Sequence, residues 1–149
     1  MFAYPSFTDP MTPVGLFDGV PAKRALAWMV DTVLVAFLVA LIVPFTGFLA
    51  LFFLGALYLA VNVMYRWIGL ARHSATLGMR LVGVELRDIR GGRIDGATAL
   101  AHTLGYAASV AFVLPQVASV ILMAFSQRGQ GLSDHILSTV MINAQAGRD

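Results

Sequence analysis

The chain has 149 residues, of which 58% are hydrophobic and 12% charged, with a net charge of +2 and no cysteine. Soluble domains carry about 25% charged residues, so a mean hydropathy of +0.79 marks an integral membrane protein with no room for a second sizeable domain. The lack of cysteine excludes disulfides, thiolate metal sites, thioether haem attachment and cysteine nucleophiles.

Residues 1–22 contain four prolines and no Lys or Arg. They predict an irregular leader lying along the membrane surface through Phe2, Phe7, Leu16 and Phe17. A secretory signal would carry its positive charge at the start and a small-residue cleavage site. Here Lys23 and Arg24 come late and the apolar run reaches Phe45, so the first helix reads as retained. Helix 1 is predicted over residues 24–43, long enough for a hydrocarbon core of ~30 Å. Pro44, Thr46 and Gly47 predict a tight uncharged turn. Helix 2 is predicted over 48–68, with Trp28, Tyr65 and Trp67 at headgroup level.

The loop 69–96 holds Arg72, Arg80, Arg87, Arg90 and Arg93 against Glu85, Asp88 and Asp95. Short loops rich in Arg and Lys stay cytoplasmic. Lys23 and Arg24 flank the other end of the same transmembrane hairpin. Both clusters are therefore predicted on the cytoplasmic side of a bacterial-type inner membrane, where the five arginines would meet anionic lipid headgroups. Within the loop, Val82, Val84 and Leu86 alternate with Gly83, Glu85 and Arg87, ahead of Gly91 and Gly92. This predicts a small β-hairpin; the alternative is an amphipathic interfacial helix.

Residues 97–127 are again free of Lys, Arg, Asp and Glu. Pro115 would break a helix or start one. The reading is a shortened hairpin of helices 97–114 and 115–127, turning at Pro115 and returning the C-terminus to the basic side. A single kinked span is the alternative. Residues 132–142 predict an interfacial helix capped by Ser133 or Asp134, followed by a tail, 144–149. The fold class is thus an all-α membrane protein with two full spans, a Pro-broken helical hairpin and a cytoplasmic β-hairpin.

Asp31 is the only charged residue between Ala25 and Tyr65. A carboxylate inside such a run costs roughly 2.5–3.5 kcal/mol on insertion scales and faces a protein interior or a wet cavity. Arg24 lies seven positions earlier, on the same helix face. Polar stripes also occur, with Tyr58, Asn62 and Tyr65 or Arg66 in helix 2 and Thr98, His102, Tyr106 and Ser109 in helix 3. Lipid cannot satisfy such stripes, so they face the bundle. The network either fixes helix register, forms a proton or ion site lined by Asn62, His102 and Tyr106, or docks a partner. His73, His102 and His135 lack metal-ligand spacing. No nucleophile motif or phosphate loop occurs, so no enzyme, metal, cofactor or nucleic acid is predicted.

The motif RALAWMVD, residues 24–31, resembles the opening of the RDD family of membrane proteins, named for one arginine and two aspartates. TLGMRLVGV, residues 76–84, resembles that family's middle motif, and Gly91, Gly92 and Arg93 fit the turn that follows. GLSD at 131–134, then Thr139 and Val140, resembles its closing motif. The resemblance spans roughly residues 21–143, a single transmembrane domain over 23–143, and makes Asp134 the second aspartate. Met79 and Ser133 depart from the usual Lys and His, and His102 stands near a frequent Arg. The resemblance implies transport of an unidentified ligand, with some members similar to sodium/proton antiporters. Together these readings predict a polar centre of Arg24, Asp31 and Asp134 in a non-enzymatic scaffold or accessory membrane component. That component would associate as a homo-oligomer or within a larger complex. The alternative is a proton- or cation-coupled transporter in which Asp31 titrates.

Overall fold

The structure, a computed structural model, describes Phe7 and residues 14–144. Phe2 and the tail beyond Ala144 lie outside the described residues. The chain opens on a 3-10 turn, Val14–Leu16, then forms α1 (Val20–Phe45). Pro21 sits in the first turn of α1, where its missing N–H costs nothing. The helix carries Pro44 in its last turn and ends at Thr46, whose N–H and hydroxyl both donate to the Val43 carbonyl. A 3-10 turn, Leu49–Phe53, then leads into α2 (Leu54–His73), so the second helical segment runs five residues past the predicted Ile68. α1 and the helical segment Leu49–His73 are both long and apolar enough to cross a membrane.

Next come α3 (Leu77–Leu81) and β1 (Val84–Asp88), then α4 (Gly96–Ala111) and α5 (Val113–Phe125). The α4–α5 pair bends by 116°, a broken span or a re-entrant hairpin. The break falls at Phe112, three residues before the predicted turn. Pro115 lies inside the first turn of α5, where a helix has no N–H bonds to lose. The chain finishes with α6 (Leu132–Leu137) and β2 (Thr139–Asn143).

Two expectations about the basic loop and tail are corrected. β1 forms, but its partner is β2, paired antiparallel from Val84–Asn143 to Asp88–Thr139. The Gly91–Gly92 turn supplies only an isolated Arg87–Arg93 bridge. The tail is not one helix: Ser138 takes a left-handed φ of 53° and turns the chain from α6 into β2. Gly83 does the same between α3 and β1, with φ 72°. Both strands are thus reached by one device, a short helix followed by a left-handed residue.

The ribbon explains a third correction. Val84, Leu86 and Met141 pack with Ala27, Leu70 and Met79 at the ends of α1, α2 and α3. Val140 and Ile142 point the other way and are covered by Phe7 and Leu16. Phe7 donates its N–H to the Ile89 carbonyl at 2.9 Å. Phe7, Leu16 and Phe17 therefore finish a core instead of lying on a membrane surface. The packing is reinforced by Asn143, which accepts from Lys23 Nζ at 2.7 Å and donates to the Gly15 and Asp18 carbonyls. A separate apolar stripe, Val35, Val39 and Val43, packs α1 on α2.

Candidate functional site

The buried face of α1 recurs every four residues, through Ala27, Asp31, Val35, Val39 and Val43. Asp31 therefore sits on the stripe that meets the rest of the protein, with no exposed surface. Its Oδ1 accepts from the Tyr65 hydroxyl at 2.6 Å and the Gly78 N–H at 2.9 Å. Its Oδ2 accepts from the Thr76 hydroxyl at 2.7 Å. Thr76 is also the N-cap of α3, its Oγ1 accepting the Met79 N–H. Gly78 lies against α1 so closely that a Cβ there would stand 2.4 Å from the Ala27 carbonyl oxygen. The middle motif is thus a seat for Asp31, with threonine to donate and cap and glycine to let the backbone approach.

The cation nearest Asp31 is Arg66, with Nη1 3.6 Å from Oδ2. Arg66 donates through Nε to Asn62 Oδ1 at 2.9 Å, and its guanidinium carbon lies 4.3 Å from the centre of the Tyr106 ring. The Tyr106 oxygen in turn accepts from Trp28 Nε1 at 2.6 Å.

Asp134 forms a second centre. It is fully buried, with Arg24 Nη1 2.5 Å from Oδ2 and His102 Nε2 2.8 Å from Oδ1. The Gly131 N–H donates to Oδ2 and the Thr139 hydroxyl to Oδ1. The first bond closes the N-terminal turn of α6; the second ties the start of β2 to it. Burial works to raise the pKa of Asp134, but the Arg24 charge, the His102 bond and charge and the Gly131 N–H outweigh it and hold the carboxyl well below the usual carboxylate range. A depressed folded value contributes stability that is full above the unfolded pKa of about 4 and is lost as pH falls below it. Thermal unfolding of detergent-solubilised protein should therefore show a midpoint that drops between pH 5 and pH 3, by roughly these values. Asp134→Asn should flatten that dependence.

The predicted triad is corrected on this geometry. Arg24 meets Asp134, as the topology predicts, and both lie at the end of the bundle that carries Lys23. Asp31 does not join them: its partners are Tyr65, Thr76, Gly78 and Arg66. Two carboxylate centres stand where one was expected, with a cavity of about 430 Å³ between them. Arg24, Asp31, Arg66, His102 and Tyr106 all line it. Asn62 does not line it; that residue orients Arg66. Arg66, read from the sequence as part of the helix-2 polar stripe but not of the predicted centre, is the cation beside Asp31, and its i, i+4 spacing from Asn62 was the signal.

Of the five loop arginines, Arg72, Arg80, Arg90 and Arg93 are exposed, and Arg93 also donates to the Arg72 carbonyl at 2.7 Å. Arg87 is half-buried and pairs with Glu85 at 3.0 Å. No group of three or more His, Asp or Glu side chains that could hold a metal ion occurs among the described residues.

The family model described as the RDD family matches residues 19–138. No curated protein and no solved structure matches the chain. The matched segment contains α1 through α6 and both aspartates with their arginines. With its two membrane-spanning helices, the chain is a multi-pass membrane protein, and it belongs to the RDD family of small membrane proteins.

Proposed function

We propose that this protein is a non-enzymatic scaffold or accessory component of a bacterial-type inner membrane. The observation that carries this reading is the enclosure of both carboxylates. Asp31 joins α1 to α2 and α3, and Asp134 joins α6 to α1, α4 and β2. Each is a fastener between elements that are far apart in the sequence. Buried ion pairs of this kind specify one arrangement of helix ends at a cost in desolvation.

Orientation follows from charge. Lys23 and Arg24 sit at one end of the α1–α2 hairpin with Arg72, Arg80, Arg90 and Arg93, so that end is cytoplasmic under the positive-inside rule. The α4–α5 pair begins and ends there too, because Trp67 of α2 donates to the Gly96 carbonyl and Arg24 reaches the Gly129 carbonyl. The four exposed arginines suit anionic lipid headgroups. Self-association or a larger membrane complex would use the fastened bundle as a rigid docking body.

The competing reading makes Asp31 the titrating site of a cation-coupled transporter. Asp31→Asn separates the two. On the scaffold reading it lowers stability by about 2 kcal/mol, the scale of a hydrogen bond to a buried charged group. Wild-type liposomes then show no pH-linked flux in sodium or potassium gradients. A flux carried by the wild type and abolished in folded Asp31→Asn protein would sink the scaffold proposal.

A further inference from the structure

Arg66 is 7% exposed, and its guanidinium is only partly used. Of its five N–H donors, Nε goes to Asn62. Nη1 stands 3.6 Å from Asp31, an ion-pair distance, and among the described residues neither Nη makes a hydrogen bond. Asp31 accepts from Tyr65, Thr76 and Gly78, three donors for about four lone-pair sites, and Arg66 faces it by charge without a hydrogen bond. Tyr106 lies under the guanidinium plane and holds the fork in place. The result is a buried arginine with spare paired donors at the wall of the cavity.

The rest of that wall is largely apolar, with Trp28, Met79, Val120 and Met123 among its lining residues. Trp28 on α1 and Val120 on α5 are also 46% and 52% exposed, so the cavity reaches the lipid-facing surface of the bundle. Its volume, about 430 Å³, falls within the ~300–1,000 Å³ of small-molecule sites. A forked cation binds carboxylate or phosphate oxygens through two parallel bonds. An apolar wall open to lipid accepts a hydrocarbon chain.

We infer that this cavity is a binding site for an anionic amphiphile, whose acidic oxygens are held by Arg66 and whose chain runs past Trp28 and Val120. Such binding goes beyond the scaffold reading and does not depend on it.

Trp28 supplies the probe. In full-length Trp67→Phe protein in neutral nonionic detergent, a dibrominated fatty acid should quench Trp28 fluorescence saturably. The methyl ester of the same acid, with an identical chain and no charge, should give only the linear quenching of partition into the micelle. Arg66→Gln should weaken saturable quenching at least tenfold, while Arg66→Lys, which keeps the charge and loses the fork, should retain part of it. If Arg66→Gln does not fold, the acid and ester on wild-type Arg66 still decide. Saturable quenching by the ester, none by the acid, or an unchanged curve in folded Arg66→Gln would each overturn the site. Displacement of the acid by inorganic phosphate alone would show that a free anion suffices, and would overturn the amphiphile.

Discussion

Gly78→Ala is expected to remove most of the folded protein. A Cβ at that position would lie 2.4 Å from the Ala27 carbonyl oxygen and 2.6 Å from Asp31 Oδ1. The first of these neighbours is backbone, so α3 itself has to move off α1. That movement lengthens the Gly78 N–H bond to Asp31 and pulls Thr76 with it. Overpacking costs about 1–3 kcal/mol, and loss of a hydrogen bond to a buried charge adds about 1.5–3 kcal/mol. Their sum is a large share of the ~5–15 kcal/mol that holds a native protein together. Gly92→Ala is the control, because a Cβ there meets nothing within 4 Å. Size-exclusion profiles and melting curves in detergent read both variants. Equal melting temperatures for Gly78→Ala and wild type would mean that α3 is not seated on Ala27.

Arg24→Gln should be nearly as severe, and more severe than Asp134→Asn. Asp134 has no exposed side-chain surface, whereas Arg24 retains 15%. Removing the arginine leaves the buried carboxylate without its guanidinium partner, a loss of roughly 3–5 kcal/mol for a broken buried pair. Removing the aspartate charge leaves a long cation at the end of α1 that can extend toward water. An asparagine at 134 can still accept the Gly131 N–H through its one carbonyl oxygen. The double variant should melt above Arg24→Gln alone, since it no longer buries a lone charge. A double-mutant cycle with no coupling between the two sites would refute the pairing.

The parts of this fold that were legible in the sequence are those set by local pattern. The apolar runs gave both spans because lipid demands unbroken helical hydrogen bonding over a fixed length. Val84 and Leu86 marked β1 because one face of it is buried against the helices. β2 escaped because all five of its residues are buried. With both faces covered, Thr139–Asn143 shows no alternation, and the capping residues of α6 just before it suggest a helix that continues. The site divided in the same way. Arg24 and Asp31 share a helix face, and that spacing together with the family resemblance placed them in one centre. Their separation is decided by where α3 and α6 dock, which depends on contacts between segments more than 40 residues apart.

The ribbon of β1 and β2 also sets an order of manufacture. Every group around Asp31 has been synthesised by Gly78, so that fastening can close early. β1, complete at Asp88, must wait for residues 139–143, roughly 3–11 s at about 5–20 residues per second. During that interval the α1–α2 hairpin stands in the bilayer with an open strand edge beside it and Arg24 without its carboxylate. The last turn of the matched family segment and the strand that follows it are therefore the last-made parts of the ribbon, and both Asp134 and β2 lie in them.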